Sequence, residues 1–424
     1  MANRWVLRRI PPVSHPSRAG RGGATHTVVV SLLVLLVPLL VLGLSGLLLY
    51  RRLVRAPGYT SLVLRLGAAA LLVVLTAAIF VGVAYQNGGL DGRPARLFGM
   101  VGMAWVAVAF YLLIGTLVGA LGALALRIAR RGREARRTWH RRSVPVIIVA
   151  SVLVTAYGMV EARQVAVDES SVTIPGLPPE LEGYRVAVIS DLHVGPIRGA
   201  DLTAQAVGLA NGAEPDVILL AGDLTDGTTA QFAEVLAPLA DLSAPDGVYA
   251  VTGNHEYYAG DALGWVALWR ELGLRVLLNE SVVVERDGAT LRIAGVSDAA
   301  GTEVPAAEPA DAALLPQLGR ALAAVDPRES SILIAHRPGV GEDPLVRAAG
   351  IDLMVSGHTH GGQLWPFTLL VPLANPTIQG LDVIEGTTAY TTRGVGTWGP
   401  PTRVLAPAEV SLLTLTGGRT PADG

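Results

Sequence analysis

Four long apolar stretches in the first 160 residues constrain this chain more than any other feature. Val28–Tyr50 carries no charge and exceeds the roughly 20 residues that cross a bilayer. Gly67–Tyr85 and Leu97–Leu126 follow, and Val144–Val160 is the shortest, with Pro145 near its start. Long apolar runs also occur as buried helices of soluble cores. Here the first three would need a very large core to absorb so much uncharged length, so that alternative is open only for the fourth. The mean hydropathy of the whole chain is +0.46, and the excess sits mainly in this half. Residues 1–160 are therefore read as a membrane region with about four transmembrane helices, over 28–50, 67–85, 97–126 and 144–160.

Arginine placement sets the expected orientation. The link between the third and fourth spans holds Arg127, Arg130, Arg131, Arg133, Arg136, Arg137, Arg141 and Arg142 against one acid, Glu134. A nucleic-acid patch is the rival reading, but the position between two spans favours a cytoplasmic flank. With four spans, Arg51, Arg52 and Arg55 fall on the same side, and everything after Val160 faces outward. Arg4, Arg8, Arg9, Arg18 and Arg21 argue the other way, because they too would lie outside. The expected location is the cell membrane, multi-pass, with an extracytoplasmic catalytic domain. Arg141-Arg142 before an apolar run has the look of a twin-arginine export signal kept as the last span. The first apolar segment is too long and starts too late for a cleavable signal. The chain has no cysteine, which removes disulfides and thiolate ligands without deciding the compartment. A formal net charge of −2 suggests no nucleic-acid partner.

The second half alternates strand-like and helix-like segments, the pattern of an α/β domain. Residues 161–180 read as a linker, with Pro175, Pro178 and Pro179 near its end, 181–415 as the globular domain and 416–424 as a disordered tail. Strands are expected at Tyr184–Ser190, Val217–Ala221 and Gly247–Val251, with helices at Asp201–Asn211, Phe232–Leu242 and Leu263–Leu272. Arg275–Leu278, Val282–Glu285 and Thr290–Gly295 are short strands with a turn at Asp287-Gly288, which suggests a hairpin and a second, partly antiparallel sheet. Ser330–Ala335, Asp352–Ser356, Asp382–Thr392 and Ala408–Leu415 complete the expected strands. Ala299–Pro316 reads as a surface loop.

Most of these strands run into a short polar segment. In chain order they are Asp191-Leu192-His193, Gly222-Asp223-Leu224-Thr225-Asp226, Gly253-Asn254-His255-Glu256, Ala335-His336-Arg337 and Gly357-His358-Thr359-His360. Loops at the C-terminal ends of strands in an α/β sheet line one crevice, where distant donors can converge. Asp, Asn and His supply oxygen and nitrogen donors suited to Zn, Mn or Fe. Each segment alone reads as well as a turn or a hydrogen-bonded core histidine. The set does not, since five of the chain's eight histidines fall within it. In an extended segment His358 and His360 project to one side.

This ordered set resembles the calcineurin-like metallophosphoesterase superfamily over residues 181 to 415. Tyr390-Thr391-Thr392-Arg393-Gly394-Val395-Gly396, followed by Pro400-Pro401-Thr402-Arg403, is similar to the bacterial membrane-associated or exported YkuE-like and YaeI-like phosphoesterases. The resemblance implies a four-layer α/β/β/α sandwich and two divalent metal ions. It implies that Asp191, His193 and His360 hold the first ion, that Asn254, His336 and His358 hold the second, and that Asp223 bridges them. His255 lies beside the site without ligating, and Asp226 orients it. Two such ions about 3.5–4 Å apart can clamp the oxygens of an in-line displacement and turn a water into the nucleophile. His255 is then placed to protonate the leaving oxygen. Arg393 and Arg337 are candidate phosphate clamps, because guanidinium matches phosphate bidentately; an ordinary structural arginine is an equal alternative at both.

The leading expectation is a phosphoesterase acting on a phosphomonoester, phosphodiester or pyrophosphate bond of a phosphorylated, lipid-linked or envelope substrate, with the bilayer as partner. A soluble nucleotide phosphodiesterase or nucleotidase is the rival enzyme. A non-catalytic membrane sensor with a metal-binding domain is the rival of another class, and the intact ligand set with His255 weighs against it. Trp365, Phe367, Leu369 and Leu370 read first as core, second as lipid contacts. Oligomeric state has no signature in the sequence.

Overall fold

The computed structural model describes residues 24–86, 90, 92–195, 198–302 and 309–418. The N-terminal arginines, residues 303–308 of the expected surface loop and residues 419–424 of the expected tail lie outside the described residues. The chain divides into two compact units, Met1–Leu48 and Leu49–Gly424.

The four apolar stretches form helices α1 (Ala24–Tyr50), α2 (Leu62–Gln86), α3 (Arg93–Ile128) and α4 (Arg133–Glu161). All four are long and apolar enough to cross a membrane. No more than 28 % of any of their apolar windows is buried, so most of this apolar surface has no protein cover. Small residues let the helices approach closely. A Cβ on Gly102 of α3 would collide with the backbone of Ala78 on α2. Trp139 of α4 donates its indole N–H to the carbonyl of Gly119 on α3 at 2.8 Å. Arg141 Nε, near the start of α4, donates to the Pro57 carbonyl at 3.0 Å and ties that end of α4 to the α1–α2 link. At the other end Gly158 of α4 accepts from the Arg403 amide at 2.9 Å, joining the helices to the second half.

That half contains twelve strands among the described residues: β1 (Ala166–Ile174), β2 (Arg185–Ile189), β3 (Val217–Leu220), β4 (Val248–Ala250), β5 (Arg275–Val276), β6 (Glu280–Arg286), β7 (Ala289–Gly295), β8 (Ser330–Ile334), β9 (Leu353–Ser356), β10 (Gly380–Ile384), β11 (Thr387–Thr391) and β12 (Glu409–Gly417). The helices are α5 (Ala200–Gly212), α6 (Thr229–Leu236), α7 (Asn254–Tyr258), α8 (Ala262–Glu271), α9 (Leu318–Ala321) and α10 (Pro344–Ala349). One sheet has the order β1-β12-β2-β3-β4-β5, the other β10-β11-β9-β8-β7-β6. The runs β2-β3-β4-β5 and β11-β9-β8-β7 are parallel.

Side chains alternate across a strand, and strands covered on both faces are apolar throughout. In β2, Val186 and Val188 pack with Ile332, Ile334 and Val355 of the other sheet. Ala187 and Ile189 turn the opposite way, toward Ala206 of α5 and Trp265 of α8. Across the second sheet, Leu333 and Met354 pack outward against Ala321 of α9 and Val346 of α10. The result is the α/β/β/α sandwich that the resemblance implied.

Several expectations need correction. Residues 161–180 are not a free linker: they contain β1, which pairs with β12 along its whole length and begins four residues beyond α4. An edge strand has one ladder partner and a half-open face, so its sequence Ala-Val-Asp-Glu-Ser-Ser stays polar enough to pass for a connector. Residues 275–278 do not join the second sheet, because β5 closes the edge of the first. Asp382–Thr392 is a hairpin, β10 and β11, turning at Glu385-Gly386 with positive φ at both. The helix expected over Phe232–Leu242 stops at Leu236, and a 3₁₀ turn with Pro238 follows. Strand β12 continues to Gly417, into the segment read as tail. The hairpin at Asp287-Gly288 is present, with both residues at positive φ as its two-residue turn requires.

Candidate metal centre

Five loops at strand ends bring the polar segments together. Asp191 follows β2, Asp223 follows β3, Asn254 opens α7 after β4, His336 follows β8, and His358 and His360 follow β9. Asp191, His193, Asp223, His358 and His360 all have φ between 43° and 72°. A side chain held there costs on the order of 1–3 kcal/mol and persists only where its surroundings enforce it. Here the loops hold one another. The His358 amide donates to both Asp191 carboxylate oxygens at 3.1 Å. The Asp191 amide donates to the Gly222 carbonyl, His193 to Asp223 and Gly357 to His336, at 3.0–3.1 Å. A Cβ on Gly253 would overlap the Asp223 carboxylate, so only glycine lets these two loops touch.

Two clusters result. Asp191, His193 and His360 form one, and Asp223, His336 and His358 the other; in each, one donor atom per residue lies within 4.8 Å of the others. His193 Nε2 and His360 Nε2 face each other at 3.1 Å, with Asp191 Oδ1 3.4 Å from the latter. His336 Nε2 lies 3.3 Å from His358 Nδ1 and 3.0 Å from Asp223 Oδ2. The same Asp223 oxygen is 3.7 Å from His193 Nε2, which places this carboxylate between the clusters. The Asn254 Oδ1 atom is buried and has no hydrogen-bond partner. A buried orphan acceptor is costly. Asn254 lines the same cavity as His193, Asp223, His358 and His360, a donor set that fits hard or borderline divalent cations.

Protons divide unevenly among these groups. Burial works against a charge on His336, but Asp223 beside it outweighs this and holds the imidazole at about 10. Burial and the positive His336 push His358 down to about 3. Burial and His193 drive His360 well below the ordinary range. Asp223 is held well below its usual value despite burial, by His336 and His255. Asp191 is raised, mainly by burial.

Behind the clusters, Asp226 Oδ1 accepts from His193 Nδ1 at 2.8 Å and from His255 Nδ1 at 2.7 Å. It thereby fixes both rings and leaves His193 Nε2 facing the first cluster. Burial opposes a charge on His255, but Asp223 and Asp226 raise it to about 9. His336 Nδ1 sits 2.7 Å from the Ala221 carbonyl, which can only accept, so its Nε2 carries the free lone pair when neutral.

Two structural contributors were not assigned from sequence. Glu256 is fully buried and accepts from the Gly253, Leu224 and Asp223 amides at 2.7, 2.8 and 3.2 Å. It clips the loop bearing Asp223 to the loop bearing Asn254. Arg403, also fully buried, donates to the carbonyls of Arg393, Gly394, Gly396 and Ala406, and one guanidinium nitrogen lies 3.4 Å from His360 Nδ1. The Gly-Asn-His-Glu order and the Thr402-Arg403 motif were visible. Their partners were not, since backbone groups have no sequence signature.

The candidate phosphate clamps point elsewhere. Arg393 pairs with Glu409 and with Asp168. Arg337 pairs with Asp298 at 3.0 Å. Neither lines the cavity that opens onto the clusters. Trp365, Phe367, Leu369 and Leu370 are not core either: they are 46–70 % exposed.

Comparison with known proteins agrees with this geometry. Residues 184–362 match the family described as calcineurin-like phosphoesterase. A transmembrane protein with metallophosphoesterase domain from Danio rerio is 32% identical over 322 residues, 73% of this chain and 71% of the relative. The chain belongs to the calcineurin-like metallophosphoesterase family. An uncharacterized metallophosphoesterase of Aquifex aeolicus is 32% identical over 63% of this chain and 98% of its own length. YkuE of Bacillus subtilis is 26% identical over 60% and 87%. The Danio rerio match is longer than the sandwich, so it reaches into the helical region. Membership in this family makes the chain a phosphoester hydrolase of a class that uses divalent metal.

Proposed function

We propose that the protein hydrolyses a phosphoester at a dinuclear metal centre, with Asp191, His193 and His360 holding one ion, Asn254, His336 and His358 the other, and Asp223 shared. The unpartnered, buried Asn254 Oδ1 beside two carboxylate–imidazole clusters is the observation that carries this reading. Bound ions would supply a nucleophile from water near neutral pH and neutralise phosphoryl oxygens. The residues supply the rest. Asp223 sets the spacing of the two clusters. Asp226 holds the His255 ring at the cavity and, after Asp223, favours its protonated form. His255 then donates a proton to the leaving oxygen as its bond to phosphorus breaks. The net change is addition of water across one P–O bond, giving a phosphate product and an alcohol.

The substrate is proposed to be a lipid-linked or envelope phosphoester, and the helices α1–α4 to anchor the sandwich on the outer side of the cell membrane. The arginines from Arg127 to Arg142, spanning the end of α3 and the start of α4, support that orientation. The first test is turnover of aryl phosphomonoesters and phosphodiesters by the purified full chain, with and without Mn or Zn. Metal-dependent cleavage is expected, with loss in Asp223→Ala. Equal turnover by that variant would overturn the assigned roles. A periplasm-dependent reporter fused after the last residue should be active, and a cytoplasm-dependent one silent; the reverse result would invert the topology.

A further inference from the structure

A cavity of about 510 Å³ opens onto the clusters, and its lining is of two kinds. His193, Asp223, Asn254, His358 and His360 supply polar groups. Val106 and Phe110 of α3 and Leu364, Phe367, Leu370 and Val371 supply hydrocarbon. The volume is that of a small-molecule site. A wholly polar phosphoester would leave the hydrocarbon lining against water. An amphiphile satisfies both kinds of lining at once.

Part of the apolar lining belongs to a candidate membrane span. Helix α3 has 36 residues, about 54 Å in length, well beyond the roughly 30 Å of a bilayer core. It therefore has length to stand out of the membrane beside the sandwich. The Tyr111 hydroxyl of α3 donates to the Trp365 carbonyl at 3.0 Å, and the Phe110 and Phe367 rings meet edge to face at 6.5 Å. The loop so attached exposes Trp365, Phe367, Leu369, Leu370 and Leu373, the last at 82 %. Five large apolar side chains exposed within nine residues, next to a membrane helix, form the surface expected of a segment lying in lipid.

We infer that the occupant of this cavity is a bilayer lipid carrying a phosphoester, its headgroup at the metal clusters and its hydrocarbon chain between α3 and the 364–373 loop. This deepens the reading above and rests on it. The site then takes its substrate sideways from the leaflet, with Val106, Phe110 and Leu370 selecting for the chain.

The test uses the full chain in detergent with Mn and a series of alkyl p-nitrophenyl phosphates, ethyl to decyl, below their micelle concentrations. Each methylene withdrawn from water favours binding by about fourfold at most. The expected result is that kcat/KM rises at least about tenfold from ethyl to decyl. Val106→Trp on α3 and Leu370→Ser on the loop should flatten that rise. The decyl-to-ethyl ratio within each variant is the readout, so the amount of folded protein cancels. A flat series in the parent, with metal-dependent turnover intact, overturns this inference and leaves the phosphoesterase reading standing. A rise that neither variant alters overturns the placement of the chain. No turnover of any ester overturns both.

Discussion

Exchanging Glu256 for glutamine tests whether the site is held together from behind. The parent carboxylate receives three backbone amides, two on Oε2 and one on Oε1. Glutamine in its better orientation keeps the Gly253 and Asp223 amides on its oxygen. Its NH₂ group then meets the Leu224 N–H, donor against donor. One buried N–H loses its acceptor, at about 1–3 kcal/mol. An opposing term depends on pH. Burial, then Asp223, raise Glu256 from 4.5 to about 7 in the metal-free protein. Between those values the native state holds a proton that the unfolded chain releases, so this group lowers stability as pH rises through the window. The full loss is about 3 kcal/mol above it. Glutamine never ionises and escapes that loss. At pH 4, below that window, the variant should therefore be less stable by about 2 kcal/mol, roughly 4–8 °C in Tm. At pH 8.5 the deficit should close to within about 1 kcal/mol. The assay is thermal unfolding of the detergent-solubilised chain in EDTA at both pH values. An unchanged Tm at pH 4 would refute the clip, and an equal deficit at both pH values would refute the assigned ionisation.

Asp226→Asn removes the anion shared by His193 and His255, and kcat for an aryl phosphodiester should fall about 10–100-fold; a parental kcat would mean Asp226 does not position these rings. Arg393→Gln should act on stability and not on KM, because it strands the buried Glu409 carboxylate, at a cost of about 3–5 kcal/mol. A rise in KM with unchanged Tm would instead restore Arg393 to the phosphate.

The features legible in the sequence were those with strong local periodicity or a donor at a strand end. Val186–Ile189 and Val217–Leu220 are apolar on both faces, so strand and burial could be read together, and the acid two or three residues after each run, Asp191 and Asp223, pointed to the crevice. What failed had weak local signals. Strand β1 is half polar because it lies at an edge. Strand β5 is two residues long, and its sheet is decided by a parallel partner, Tyr249–Ala250, that no local pattern identifies. Arg393 and Arg337 looked like anion binders because their acids, Glu409 and Asp298, stand 16 and 39 positions away in the chain. Leu369 and Leu370 looked like core because apolar side chains usually are; both are exposed, and Leu370 shares a cavity with Val106 and Phe110 of α3, which only the tertiary structure supplies.

The absence of a free linker has a functional consequence. A flexible 20-residue connector would let the sandwich roam about 25 Å. Instead Ala162 and Val165 are buried, and β1 starts within four residues of α4. The height of the metal clusters relative to α3 is therefore fixed, and the cavity can be shared by helix and loop only because of that. Inserting ten Gly/Ser residues after Gln164 would leave every cluster residue in place while loosening this registration. Turnover of the ethyl ester should then persist, while the advantage of the decyl ester shrinks by at least about threefold, since an apolar wall that wanders buries fewer methylenes. If the chain-length advantage survives the insertion unchanged, the close attachment of α4 to β1 has no part in presenting the substrate, and contacts such as Tyr111 with Trp365 suffice alone.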